Sequence, residues 1–583
     1  MPNFTDEKNT LMLISLMKAH GVKKVIASPG TTNVAFVASI QQDNFFEVYS
    51  AYDERSAAYM ACGMATESGE PVALSCTQAT ASRNYLSGLT EAFYRKLPIL
   101  AITSTQHLGR IGQNFQQAID RSVQPADTVN LSVQVPVIHT EDDEWYCNVL
   151  LNRALLELRR DGGGPIHINL ATTYSKEFPI QELPKYRVIK RISYNNAFPD
   201  EYPVIGDAKR VAVFVGAHKK WPEKLTKLVN EFCRCYNGVV LCDAISNYNG
   251  PYRIAFSLLA SQQQYHSPVC NIDVLIHLGD VSGAPILGSI KETWRVNPDG
   301  EIRDTFKKQR YVFEMEEESF FEKYIQLAKR SKGDDSYLKE WQEECNKLFN
   351  KIPELPFSNG WIAQHTVQAL PETAILHMGI YNSLRHWSFF DIPQSVLGYS
   401  NTGGFGIDGC VSSMIGASLT TDRIVFGVVG DLAFFYDLNA LANHHVKSNL
   451  RILLINNGLG TEFKNPDNRA YKLGPLADSY IAAEGHNGKK SKELVKHYAE
   501  DLDFQYMVAE NKKEYLENLP EFLETTPKER PIIFEVFVRS EDETEALRIL
   551  YNLETSVTAL AKNMTKAVIG ESGIKKLKRI LER

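Results

Sequence analysis

The sequence has no apolar run long enough to span a bilayer, and it opens on the polar, acidic stretch MPNFTDEKNT. Neither a transmembrane helix nor a secretory leader is expected. The nine cysteines (62, 76, 147, 233, 235, 242, 270, 345 and 410) form no C-x-x-C pair, and Cys233 and Cys235 fall on a helical pattern. That excludes a paired zinc-ligand motif and leaves free thiols in a reducing compartment. Positive charge is also short, with 63 Lys and Arg against 70 Asp and Glu, a net charge of -7 and a pI near 6.1. Nucleic acid is therefore not expected as a partner. G-x-x-x-x-G-K-[ST] does not occur, which removes the standard P-loop. No internal repeat or low-complexity segment is visible. What is present, 583 residues with 44% hydrophobic and 23% charged, describes a cytoplasmic globular protein of about three to four domains.

Strand and helix patterns alternate along the chain. A helix over 10–19 leads to the strand Val25–Ala27 and the turn Ser28-Pro29-Gly30-Thr31-Thr32. Strands at 46–49, 72–75 and 99–103 alternate with helices at 55–67 and about 81–94, and GPIHINL at 164–170 closes this first unit. A tract rich in Pro and charge, 177–203, reads as a linker. A second α/β unit begins at Arg210, and a second linker, 349–360, precedes a third unit that runs from Ala374 to about Val538. The tail from Glu541 is charged and helical. The expected domains are 1–182, 205–348, 358–540 and a helical extension over 541–583.

The third unit carries the most chemistry. Apolar runs at 424–429 and 450–455 end in Gly430-Asp431 and Asn456-Asn457-Gly458, with a helical pattern over 436–445 between them. Strand, helix, strand makes a βαβ unit that puts Asp431 and Asn457 at strand C-termini, where open parallel sheets bind ligands. Mg²⁺ needs hard oxygen ligands, and Asp431, the Asn457 side chain and the Leu459 carbonyl supply three. Gly458 and Gly460 let the backbone turn close to a diphosphate. Gly-Asp and Asn-Asn are also ordinary turn pairs. Their separation of 26 residues, one helix plus one strand, is what favours the site.

The strings SPGTTN, YDERSAA, GQNFQQAID, GPIHINLA, NTGGFGIDG, GDLAFFYDLNAL and NNGLG resemble the acetolactate synthase and pyruvate decarboxylase superfamily of thiamine diphosphate enzymes, over nearly the whole chain to about residue 550. Within it, the nearest resemblance is to the menaquinone-pathway (SEPHCHC) synthases, which add a succinyl semialdehyde unit to isochorismate. The resemblance implies an α/β fold of three doubly wound parallel-sheet domains, called pyrimidine, central and diphosphate domains, with a helical tail. It implies thiamine diphosphate and Mg²⁺ as cofactors, without FAD. A homodimer or dimer of dimers is expected, with active sites at the interface.

The family's roles carry over by motif. Glu54 matches the acid that hydrogen-bonds N1′ of the aminopyrimidine so that the cofactor's own nitrogen can take the C2 proton; alone, it also reads as a helix N-terminal acid. Tyr52, Ala57 and Ala58 are expected to wall it in. Gln117 matches a glutamine near the reacting centre, and Thr77 a hydroxyl beside the thiazolium. Ile407 matches the apolar wedge that bends the cofactor, with Phe405 pairing through its carbonyl. Asn382 and Ser383 match diphosphate contacts, and Gly30, Thr31, Leu432, Ala433, Asn457, Leu459 and Gly460 complete the implied cofactor set. Asp431, Asn457 and Leu459 are the implied metal ligands.

Departures bear on the substrate. Two arginines that bind substrate carboxylates in the menaquinone-pathway synthases are Thr32 and Thr402 here, and a third expected arginine falls at Trp387, with Arg385 two residues away. Each lost charge-assisted clamp removes about 1.5 to 3 kcal/mol from an anionic substrate. Arg83 and Arg385 remain as candidate carboxylate partners. The adjacent histidine pair of many simple decarboxylases is missing, because the comparable loop reads Ser104-Thr105-Gln106-His107. The expectation is decarboxylation of a 2-oxo acid, pyruvate first, with carboligation to an acceptor carbonyl, a transferase or lyase activity. The alternatives are a simple decarboxylase, a SEPHCHC synthase-type addition and a catalytically silent subunit.

Overall fold

The computed structural model describes residues 3–194, 201–206, 208–284, 288–328, 334–486, 490–526 and 528–556. The chain divides into two compact units, 1–196 with 300–312 and 197–299 with 313–583.

In the first unit six parallel strands, β1 (Lys24–Ala27), β2 (Glu47–Ser50), β3 (Val72–Cys76), β4 (Ile99–Thr105), β5 (Leu131–Val135) and β6 (Ile166–Ala171), lie in the order β2-β1-β3-β4-β6-β5. Side chains alternate between the faces of a strand, so a sheet covered on both sides reads as unbroken apolar sequence. Val25, Ala73, Leu100 and Ile102 enter one core, with the helices Lys8–Ala19 and Glu141–Glu157. Their neighbours Ile26, Leu74, Ile99 and Ala101 enter the other, with the helices Glu54–Ser68 and Leu86–Tyr94. The sheet is therefore doubly wound.

The second unit holds two sheets. Strands β8 (Val211–Val215), β9 (Gly238–Cys242), β10 (Arg253–Ala255), β11 (Ile272–Leu278) and β12 (Ile290–Val296) are parallel, in the order β10-β9-β8-β11-β12. The other sheet comprises β14 (Ile375–Met378), β15 (Leu397–Tyr399), β16 (Val425–Gly430), β17 (Leu450–Asn456), β18 (Gln505–Ala509) and β19 (Ile532–Phe537), all parallel, in the order β15-β14-β16-β17-β19-β18. Renumbered from its own first strand, this is the order of the first sheet. The fold thus repeats an architecture that the sequence does not display as a repeat.

Several expectations are corrected. The tract 177–203 contains strand β7 (Lys190–Ser193). A further strand, β13 (Gln309–Glu314), follows β12 in the chain. The helix expected over 81–94 breaks at Tyr85 into Thr80–Asn84 and Leu86–Tyr94. The helix expected over 436–445 instead runs Asp431–Tyr436, followed by a 3₁₀ turn at Leu438–Ala442. Asp437 explains this stop: its carboxylate accepts the backbone N–H (2.5 Å) and hydroxyl (2.7 Å) of Ser412, capping the neighbouring helix Cys410–Leu419. The tail forms a helix at Ser540–Leu550, and the rest of the expected extension, from 557, lies outside the described residues.

Candidate functional site

A cavity of about 440 Å³ opens at the C-terminal ends of β14, β16 and β17. Gly430 on β16 pairs in register with Ile455 on β17, so Asp431 and Asn457 leave neighbouring strand ends side by side. Asp431 is 4% exposed. Its Oδ1 accepts the Leu432 amide at 2.7 Å and its Oδ2 the Gly458 amide at 2.6 Å. Gly458 has φ of +78°, the left-handed region that a side chain disfavours, and this turn aims its N–H back at Asp431. Asn382 and Asn457 both donate to the Thr461 hydroxyl, at 2.8 and 3.3 Å. All ten candidates expected in this unit, Asn382, Ser383, Phe405, Ile407, Asp431, Leu432, Ala433, Asn457, Leu459 and Gly460, line the one cavity.

Two bulky lining residues hold strained backbone. Tyr381, just before the helix Asn382–Ser388, has φ of +61°, and Phe405 has φ of +54°. Their rings meet edge to face with centroids 5.6 Å apart. Such conformations cost about 1–3 kcal/mol each and persist where the surrounding packing imposes them. Arg385 is bound by Asn382 Oδ1 (2.7 Å) and doubly by Glu462 (2.7 and 3.3 Å). It is therefore not a free carboxylate clamp. Trp387 is 1% exposed and donates to Asn359 Oδ1.

The electrostatics of the site are one-sided. Burial pushes the Asp431 carboxyl up to about 6, against the opposing effect of its backbone hydrogen bonds. Burial also pushes Glu535 and Glu543 up to about 7, with the Asp431 charge adding to both shifts. Glu535 is satisfied by Asn456 (2.7 Å) and Tyr506 (2.8 Å). Glu543 lines the cavity, accepts the Asn359 amide on Oε1 at 2.9 Å, and leaves Oε2 buried without a partner among the described residues. An orphaned carboxylate oxygen and a desolvated Asp431 on one cavity suit a hard cation, which would lower both charged forms in energy. Among the described residues no three His, Cys, Asp or Glu side chains cluster as a metal site. A cation here relies on one carboxylate, an amide and backbone oxygen together with anionic ligand oxygens. Glu543, Glu462 and Thr461 were missed in the sequence because they carry no motif.

The remaining candidates lie in the first unit. Glu54 is the first residue of the helix Glu54–Ser68, half-buried, with Asn84 Nδ2 3.3 Å from its Oε2. Ala57 and Ala58 are buried, but Tyr52 is 87% exposed and forms no wall beside the acid. Gly30 packs so tightly on Thr77 that a Cβ there would lie 2.3 Å from the Thr77 Cβ. The Thr77 hydroxyl pairs with that of Thr32 at 2.7 Å. Thr31 is exposed, and Gln117 is exposed with φ of +61°.

Residues 10–124 match the family described as thiamine pyrophosphate enzyme, N-terminal TPP binding domain. Across nearly its whole length the chain is similar to proteins named 2-succinyl-5-enolpyruvyl-6-hydroxy-3-cyclohexene-1-carboxylate synthase. The one from Bacteroides fragilis is 32% identical over 94% of this chain and 99% of its own. The chain belongs to the thiamine pyrophosphate enzyme family. The synthase of the same name from Bacteroides thetaiotaomicron is 30% identical over 94% of this chain and 99% of its own, and that from Flavobacterium johnsoniae 26% identical over 90% and 95%. The protein is a thiamine pyrophosphate-dependent enzyme. No helix among its described residues is long and apolar enough to cross a membrane.

Proposed function

We propose that this enzyme binds thiamine diphosphate with Mg²⁺, decarboxylates a 2-oxo acid and adds the remaining acyl unit to a second substrate, a SEPHCHC synthase-type addition. The observation that carries this reading is the cavity bounded by Asp431, Asn457 and the orphaned Glu543 carboxylate, in a chain 32% identical over 94% of its length to a synthase of that name. The pyrimidine, central and diphosphate domains are assigned to 1–182, 205–348 and 358–540.

When bound, thiamine diphosphate supplies the electron sink for loss of CO₂. Asp431, the Asn457 side chain and the Leu459 carbonyl hold Mg²⁺ against the diphosphate. Backbone at Leu432, Ala433 and Gly460, with Asn382 and Ser383, receives the diphosphate oxygens. Ile407 and the Phe405 carbonyl orient the aminopyrimidine. Glu54 holds or releases the proton at N1′, reaching the cofactor from a second copy of the chain, so that the working enzyme is a homodimer. Gly30, Thr31, Thr77 and Gln117 surround the reacting end. The enzyme works in the cytoplasm.

The name shared by the relatives favours a dicarboxylic donor, the 2-oxo acid that leaves a succinyl semialdehyde unit. One observation favours pyruvate as a second reading. Thr32 and Thr402 are buried, 3% and 4% exposed, and Arg385 is committed to Glu462, which leaves little to grip a remote carboxylate.

The test is calorimetric titration of thiamine diphosphate with Mg²⁺, then CO₂ release from 2-oxoglutarate and pyruvate with and without isochorismate. Release from 2-oxoglutarate that depends on Glu54 and yields an adduct with isochorismate supports the first reading. Turnover of pyruvate alone supports the second, and no cofactor binding overturns both. Mixing Glu54→Ala chains with Asp431→Ala chains should restore activity through hybrid dimers; no recovery would remove the shared-site arrangement.

A further inference from the structure

The first unit contains a second, enclosed cavity beside β4 and β6, against Ala101, Thr103 and His167. It has room for about one water-sized occupant, about 10 Å³, and is lined by Arg83, Arg121, Tyr85, Thr103, Gln124 and His167. Arg121 is 1% exposed. Its Nη2 donates to the Ser104 carbonyl at 3.1 Å, while Nε and Nη1 are buried without partners among the described residues.

Among the described residues no carboxylate pairs with Arg121. Asp120, next in the chain, is exposed, and its Oδ1 accepts the amide and hydroxyl of Ser122 rather than a guanidinium N–H. His167 shares its two ring nitrogens with the hydroxyls of Thr103 (2.7 Å) and Ser132 (2.8 Å), and burial pushes it down to about 3, so it is neutral. The Cys76 thiol is pushed up to about 12 by burial and is neutral as well. The nearby charged group is another cation, Arg83, which donates to the Asp120 carbonyl at 2.8 Å and has an exposed side chain. Arg451, also fully buried, has the ring of Phe426 5.8 Å from its guanidinium, whereas among the described residues no aromatic face lies over Arg121. A buried guanidinium without an anion, an aromatic face or a full set of acceptors is strongly unfavourable.

We propose that this pocket binds a monatomic anion, a halide, as the counter-ion of Arg121. The inference is independent of the proposed reaction, because it rests on the first unit alone. Arg121 supplies the buried donors, and Arg83 closes the exposed side with a second positive charge.

The test follows the thermal unfolding midpoint of the full chain at constant ionic strength, replacing sodium gluconate by chloride, bromide, formate or acetate. Constant ionic strength removes general screening. The expected result is a saturable rise with chloride or bromide and none with formate or acetate, which are too large for the cavity. A response to halides alone assigns a monatomic ion in the cavity, and an equal response to formate and acetate assigns general anion binding at the surface and counts against the proposal. Arg121→Gln should abolish the response. Because that variant alters the interior, Arg83→Gln on the exposed side provides the second check and should raise the half-saturating concentration about tenfold. Bromide crystals should show anomalous density within hydrogen-bond distance of Arg121. A water in that position, or equal midpoints in gluconate and bromide, overturns the proposal.

Discussion

Asp431 Oδ2 accepts the backbone amide of Gly458 at 2.6 Å, joining the ends of two adjacent parallel strands. This bond fixes the carboxylate before any ligand arrives and holds the Asn457 turn against it. The side chain that the metal would need is thereby preorganised by backbone, at the cost of burying its charge.

Asp431→Asn retains the size of the side chain and removes its charge. The expected outcome is at least about 100-fold weaker Mg²⁺-dependent binding of thiamine diphosphate by calorimetry, with an unchanged far-ultraviolet circular dichroism spectrum. Because the carboxyl sits at about 6, wild-type metal affinity should also fall as the pH drops through 6, where a proton competes with the cation.

Glu543 predicts a pH dependence of stability. Its folded-state value is raised from 4.5 to about 7, so its contribution to stability is fully present below 4.5 and is lost as pH rises through 7. Glu543→Gln stays neutral and keeps an oxygen for the Asn359 amide. Without metal and cofactor, the variant should unfold at a higher temperature than wild type at pH 8, by on the order of 2 kcal/mol in stability, and at the same temperature near pH 4.5. A thermal scan across that range decides it.

Gly30→Ala should destabilise the first unit by about 1–3 kcal/mol, since the new Cβ would lie 2.3 Å from Thr77 Cβ. Adding Thr77→Gly should recover much of the loss. Denaturant midpoints for the two single variants and the double variant measure the coupling.

Arg385→Met should lower the unfolding temperature by leaving Glu462 without its partner, while changing KM for a 2-oxo acid less than threefold. A tenfold or greater rise in KM with kcat preserved would reassign Arg385 to the substrate.

The adjacency of Asp431 and Asn457 was legible in the sequence because it depends on short-range physics. Two apolar runs, each capped by turn residues and separated by one helix plus one strand, form neighbouring parallel strands by the right-handed crossover rule. The helix beginning at Asp431 was placed too late because Asp437 turns to cap another helix, a contact that no local pattern encodes. Glu543 was invisible for a related reason: it sits on the helix Ser540–Leu550, more than a hundred residues beyond Asp431, and only packing brings it to the cavity. The common strand order of the first and third sheets also left no trace, since many apolar sequences satisfy the same alternation.

The sequence by itself determined the parallel α/β class, the positions of the strand-end turns at Asp431 and Asn457 and the family, because apolar period, turn chemistry and motif spacing are local properties. Tertiary structure alone decided which carboxylates share the cavity, that Arg385 is held by Glu462, and that Arg121 is buried with two guanidinium nitrogens unpartnered among the described residues. Those outcomes depend on which distant side chains are desolvated together, and desolvation is a property of the packed interior.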